Sequence, residues 1–319
     1  MSQLNIAVWG LGNHAKNRIL PILASMDEIN LLGVCSRNHS SVIESAEKWG
    51  CNGWPTPEEM LKCTDLDIVY ISSPIGLHFR MTEKALNAGK HVWCEKPLTC
   101  DYGETQALLE LAAEKGKVLT EAFMYLHHTQ FKRVKKFVDD SQGLNSIVCR
   151  FGIPELDAPG FRDKPQLCGG AFWDLGSYTT SAILALYPGQ QVNVLFSEVI
   201  KNDKSSVDTE GRAILRLSSG MTAYLEWAVG VAYKNEIDLW SKDGSLFTNK
   251  IFSKSTGYKP NYYLHDLNGN MNIEHGEEID QFKEMFNYFI NIMDNKDKVK
   301  MEREIILQRA KLLNEIFTF

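Results

Sequence analysis

Little in this chain points to a metal, a membrane or a polyanion. None of its seven cysteines (Cys35, Cys51, Cys63, Cys94, Cys100, Cys149, Cys168) stands in a C-x-x-C pair, and no His-x(3–5)-His pair accompanies them. A zinc framework is therefore not expected. Their odd number and scatter read as free thiols in a reducing compartment. No run of about 18 apolar residues occurs, so no membrane span is expected. The opening MSQLNIAVWG lacks the basic segment and long apolar stretch of a secretory signal. These absences lead us to expect a cytoplasmic protein. Positive charge is not in excess either: 34 Lys and Arg face 40 Asp and Glu, a net charge of −6. That excludes a generally basic surface for nucleic acid or anionic lipid, though a local basic pocket for a phosphorylated ligand stays open.

What is present is an ordinary globular composition over 319 residues, 44% hydrophobic and 23% charged. Such a length predicts about two domains. Up to about residue 120, apolar runs alternate with helical patterns. Leu4–Trp9, Leu31–Cys35, Asp67–Ser72, His91–Cys94 and Val118–Glu121 read as buried strands. Between them lie helical stretches, including Ser40–Trp49, Leu77–Ala88 and Asp101–Lys115. Continuous apolar strands joined by helices predict a doubly wound parallel α/β sheet, a Rossmann domain. Beyond about residue 140 the period changes to two. Ala213, Leu215 and Leu217 alternate with polar neighbours, as do Met221, Ala223, Leu225 and Trp227, across the turn Ser218-Ser219-Gly220. This predicts an α+β domain with a mostly antiparallel sheet, one face packed and one open. Gly170–Tyr187, Glu277–Met293 and Glu302–Phe317 read as helices. We place the domains at 1–125 and 126–319, with the last helix free to return to the first.

Gly10-Leu11-Gly12-Asn13-His14-Ala15 follows the first strand and opens a helix. The pattern G-x-G-x-x-A there is a dinucleotide fingerprint. Gly10 permits the turn, Gly12 lets a pyrophosphate approach, and the helix N-terminus attracts it. An NAD site places Asp or Glu at the end of the second strand, on the ribose 2′-hydroxyl. Here Cys35-Ser36-Arg37-Asn38 has no carboxylate. Ser36 and Arg37 suit a 2′-phosphate, which points to NADP(H); a solvated surface Arg is the alternative.

Two further constellations carry chemistry. Glu95-Lys96-Pro97 lies just past the fourth strand, where ligands of open α/β sheets bind. Gly169-Gly170-Ala171-Phe172-Trp173-Asp174-Leu175-Gly176-Ser177-Tyr178 places Asp174 and Tyr178 four apart on one helix face. The glycine pair would let backbone approach a ligand closely. A plain structural hydrogen bond is the alternative for the Asp and Tyr.

Together with Ser73-Pro74, His78, and Glu121-Ala122-Phe123-Met124-Tyr125 with His127, these motifs resemble the Gfo/Idh/MocA oxidoreductase family nearly end to end. Tyr178 stands where many members have His, which is similar to the family's tyrosine branch, mostly NADP enzymes. The resemblance implies NAD(P)-dependent oxidation or reduction of a sugar, polyol or related ketone. It also implies a dimer or tetramer formed through the open sheet. Ser73, Pro74, His78, Glu95 and Lys96 join the cofactor side, and Tyr125, His127 and Arg162 the substrate side, a surface Arg being an equal alternative for Arg162. No metal is implied.

The chemistry follows from the residue types. Hydride transfer to or from a carbinol carbon needs a proton at its oxygen. A phenol with an ordinary pKa near 10 is a weak base at neutral pH, and a neighbouring ammonium favours its ionised form. Tyr178 is thus the candidate general acid/base, Lys96 its tuner, and Asp174 an orienting group. A regulator that senses a dinucleotide on the same scaffold is the competing class. The aromatic residues Trp227, Tyr233 and Trp240 are candidates for a self-association face, or equally for ordinary sheet packing.

Overall fold

The structure is a computed structural model that describes residues 3–201 and 205–319. The chain folds into two compact units, Met1–Ala122 with Phe286–Ala310 and Phe123–Met285 with Lys311–Phe319.

The first unit holds a six-stranded sheet of β1 (Leu4–Trp9), β2 (Ile29–Cys35), β3 (Asn52–Trp54), β4 (Ile68–Ile71), β5 (His91–Cys94) and β6 (Leu119–Glu121). All pairings are parallel and the order is β3-β2-β1-β4-β5-β6. This is the expected doubly wound sheet. The apolar runs are continuous because the central strands are covered on both faces: Ile68, Val69, Tyr70 and Ile71 are all buried. Side-chain N-caps hold several helices, among them Asn38 on Ser41 N–H, Thr56 on Glu59 N–H, Asp101 on Glu104 N–H and Asn295 on Lys298 N–H. Each satisfies an orphan donor of the first turn. The helix Gln281–Met293 supplies Phe286 and Phe289, which pack on Trp93 at 5.6 and 5.4 Å between ring centroids. The short β3 was missed because Asn52-Gly53-Trp54 has no apolar run.

The second unit holds an eight-stranded sheet: β7 (Leu144–Ile153), β8 (Val192–Ile200), β9 (Glu210–Leu217), β10 (Thr222–Val229), β11 (Lys234–Ser241), β12 (Ser245–Asn249), β13 (Asn261–His265) and β14 (Met271–His275). Its order is β14-β13-β12-β11-β7-β10-β9-β8. Among the described residues only β7 and β10 pair in parallel. The period-two residues Ala213, Leu215, Ala223, Leu225 and Trp227 are buried on one face. On the other, Glu198, Arg212, Glu226, Arg150 and Glu236 alternate in sign across five strands. Tyr233 and Trp240 are exposed, but Trp227 is not: it packs inward on Phe172 at 5.1 Å. It is therefore removed from the surface candidates.

Five cysteines, Cys35, Cys51, Cys63, Cys94 and Cys149, are free thiols. Cys100 and Cys168 are not free, which corrects the expectation for those two. No helix among the described residues is long and apolar enough to cross a membrane.

Candidate active site

In the first unit the fingerprint turn has the geometry its glycines demand. Gly10 adopts φ +111, and a Cβ there would lie 2.0 Å from Ser72 O. Apart from its own stretch of chain, no described atom lies within 4 Å of where a Gly12 Cβ would be, so the backbone there faces open space. Asn13 and His14 are exposed at this turn, whereas Leu11 is buried. The helix then opens with a wide i→i+5 turn, Ala15–Ile19. Such π-turns recur at functional sites. Where β2 ends, Ser36 is half-buried and Arg37 exposed. Lys16, unremarked in the sequence, donates to Ser41 Oγ at 3.2 Å and Glu44 at 2.8 Å beside this turn. The donors and the open glycine backbone fit a dinucleotide with an extra phosphate.

Glu95 binds two partners through Oε1: the ring of His14 at 2.8 Å and the Tyr70 hydroxyl, which donates at 2.5 Å. Burial would push this carboxyl up. His14, Tyr70 and the Lys96 charge outweigh burial and hold it below its ordinary value. Glu95 thus ties the glycine turn to the strand end carrying Lys96. The Lys96-Pro97 bond is cis. His78 is wholly buried, its ring nitrogens 3.0 Å from Pro97 O and 2.9 Å from Ser73 O. It holds two loops and presents no nitrogen to a ligand, which corrects its placement as a direct cofactor contact.

In the second unit Asp174 and Tyr178 do share a helix, entered by a π-turn from Phe172 to Gly176 and continued as Ser177–Leu186. Arg162 Nε donates to Asp174 Oδ2 at 2.6 Å, so these two candidates form an ion pair. The Tyr178 hydroxyl donates to Met124 Sδ at 3.6 Å. Its ring is caged by Phe123, Phe151, Tyr125 and Phe252 at 5.5, 5.3, 5.7 and 5.9 Å. Tyr125 is fully buried, its hydroxyl 2.7 Å from Ser181 Oγ. It supports the Tyr178 helix from the core, a correction to its reading as a pocket residue. His127 is half-buried at the end of the turn Met124–His127. His128 caps the next helix, its Nδ1 accepting Gln130 N–H at 2.9 Å.

The glycine pair also reads differently. A Cβ on Gly169 would meet Arg162 O and Phe161 O at 2.6 Å, and one on Gly170 would meet Asp208 Oδ1 at 2.0 Å. The backbone that approaches closely is the protein's own. Asp208, which the sequence reading missed, accepts Phe172 N–H at 2.6 Å through Oδ2. It thereby caps the Asp174–Tyr178 helix from 36 residues away. Burial pushes its carboxyl up to about 6, against the pull of the Phe172 and Ala171 N–H groups. No local signal marks such a cap, since its donors lie far off in sequence.

Comparison with known proteins fits this geometry. Residues 4–123 match the family described as "Oxidoreductase family, NAD-binding Rossmann fold", and 132–247 its C-terminal domain. The chain belongs to the Gfo/Idh/MocA oxidoreductase family. It is 33% identical over 260 residues to a dTDP-3,4-didehydro-2,6-dideoxy-alpha-D-glucose 3-reductase of Streptomyces violaceoruber, covering 81% of this chain and 76% of that one. An NADP(+)-dependent D-xylose 1-dehydrogenase of Haloferax volcanii is 28% identical, covering 97% and 95%. A solved 3-ketoreductase of Actinomadura kijaniata, in complex with NADP and TDP-benzene, superposes with a TM-score of 0.93 at 27% identity, covering 99% and 98%.

Proposed function

We propose that this Gfo/Idh/MocA protein is an NADP(H)-dependent oxidoreductase that interconverts a carbonyl and an alcohol on a sugar, and that its substrate class is a nucleotide-linked keto sugar. The observation that carries the reading is the end-to-end match to a 3-ketoreductase in a chain that keeps Lys96, Asp174 and Tyr178. When bound, NADPH supplies the hydride. Gly10 to His14 would receive its pyrophosphate at the helix N-terminus, and Ser36 with Arg37 its 2′-phosphate. Tyr178 gives its hydroxyl proton to the substrate oxygen as the carbonyl carbon is reduced. Lys96 favours the phenolate left behind and stabilises the charge developing on that oxygen. Asp174, fixed by Arg162, orients the substrate. A non-catalytic dinucleotide sensor would have no need of all three groups.

The test follows NADPH absorbance with nucleotide-linked keto sugars, free sugars and diols as parallel substrates. Turnover with the nucleotide-linked ketones supports the reading. Turnover only with free sugars overturns the substrate class, and none at all favours the sensor. Arg37 carries the cofactor preference. Arg37→Asp is expected to raise KM for NADPH by about 10- to 10²-fold, the scale of a lost charge-assisted bond. KM for NADH should change far less. An equal effect on both cofactors would remove Arg37 from the phosphate site.

A further inference from the structure

The peptide that follows Lys96-Pro97 is gripped at both ends inside the first unit. Its carbonyl, Pro97 O, faces His78 Nδ1 at 3.0 Å. Its N–H, on Leu98, donates to Glu121 Oε1 at 2.7 Å. The other carboxylate oxygen of Glu121 accepts from Arg309 Nη1. Arg309 stands on the C-terminal helix Lys296–Thr318. The Glu121 and Arg309 side chains are 3% and 4% exposed. We propose that Glu121 and Arg309 are positioning residues for Lys96: the pair fixes the Pro97–Leu98 peptide and, through it, where the Lys96 ammonium stands. This rests on the reading of Lys96 as catalytic.

Stability alone does not account for the pair. Burying two charges costs several kcal/mol in desolvation, and a well-packed apolar pair of the same volume is often as stable or more so. An apolar pair cannot accept the Leu98 N–H. A buried carboxylate without a cation beside it is an uncompensated charge, which is strongly destabilising. Arg309 supplies a cation that does not deprotonate. His78 holds the other end of the same peptide, so Glu121 and His78 together leave the lysine loop little freedom to turn about its backbone. A catalytic ammonium displaced by about 1 Å can lose 10²-fold in rate.

Two double variants separate positioning from packing: both remove Arg309, and so alter the surroundings of the buried Glu302 alike, and they differ only in whether residue 121 can accept the Leu98 N–H. In Glu121→Gln/Arg309→Met the amide oxygen still accepts the Leu98 N–H. In Glu121→Met/Arg309→Met nothing does. The readouts are amide hydrogen exchange at Leu98, NADPH affinity by fluorescence titration, and kcat on the nucleotide-linked keto sugar. We expect the Gln variant to keep Leu98 protected and kcat near the wild-type value. The Met variant should lose that protection and about 10²-fold in kcat, with NADPH affinity unchanged. Equal kcat in the two, or a protected Leu98 in the Met variant, overturns the proposal. Should the Met variant not fold, Glu121→Leu/Arg309→Met, which likewise leaves the Leu98 N–H without an acceptor, is the second arm, expected to speed Leu98 exchange and lower kcat; unchanged exchange and kcat overturn the proposal there too. Lys96→Met distinguishes the two failures. If it is fully active, Lys96 is not catalytic. If it is inactive while the double variants are equal, only the positioning is wrong.

Discussion

Tyr178→Phe is expected to lower kcat by about 10²-fold or more, the usual scale for lost acid–base catalysis, with NADPH affinity nearly unchanged. The variant is a clean one because the cage of Phe123, Tyr125, Phe151 and Phe252 packs against the ring, which Phe retains. What is lost is the hydroxyl, with its contact with Met124 Sδ among its interactions. A weak bond of that kind contributes about 1 kcal/mol or less, so folding should be little affected. Single-turnover kinetics with NADPH in excess measures the chemical step, and fluorescence titration measures cofactor binding. Near-normal turnover would take the proton-transfer role away from Tyr178. A loss confined to KM would make it a binding group instead.

Gly170→Ala is expected to cost about 3 kcal/mol or more, the sum of an overpacked core contact and a strained backbone. The residue sits at φ +118, and the new Cβ would lie 2.0 Å from Asp208 Oδ1. Asp208 cannot retreat without releasing the Phe172 N–H that it caps. On the scale of a domain of this size the loss should lower Tm by about 10 °C. Thermal unfolding followed by far-UV circular dichroism measures it. Adding Asp208→Ala removes the clash but leaves the backbone strain and an uncapped helix, so little stability should return. A Gly170→Ala protein that melts with the wild type would show that the loop relaxes freely and that the fit around Asp208 is loose.

How much of this was legible beforehand depended on whether the cause was local. The parallel sheet was readable because strands covered on both faces are apolar throughout, as Ile68–Ile71 are. The second sheet was readable where one face is packed, as in Ala213, Leu215 and Leu217. It was not readable at β13 and β14, where Asn261–His265 and Met271–His275 mix polar and apolar residues with little alternation. At the candidate site, Lys96, Asp174 and Tyr178 stood out because motif spacing placed them. Asp208, Arg309 and Lys16 did not, since each acts on a partner distant in sequence, and a lone charged residue carries no mark of its partner. His78, Tyr125 and Trp227 show the converse. Their positions in motifs or alternating runs were visible, but burial decided what they do.

The π-turn at the head of the Tyr178 helix amounts to one residue more than an α-helix would hold between the same two ends. The stretch Ser177–Leu186 is locked by its packed core, and the other end by Asp208. A chain shorter by one residue within Phe172–Gly176 would close to a regular α-helix. One residue is about 100° of helical rotation, since 3.6 residues make a turn. The shortened helix could keep Tyr178 in its aromatic cage or keep the Phe172 N–H on Asp208, but not both. The length of this segment is thus as constrained as its composition, and single-residue deletions here should be far less tolerated than substitutions at the same positions.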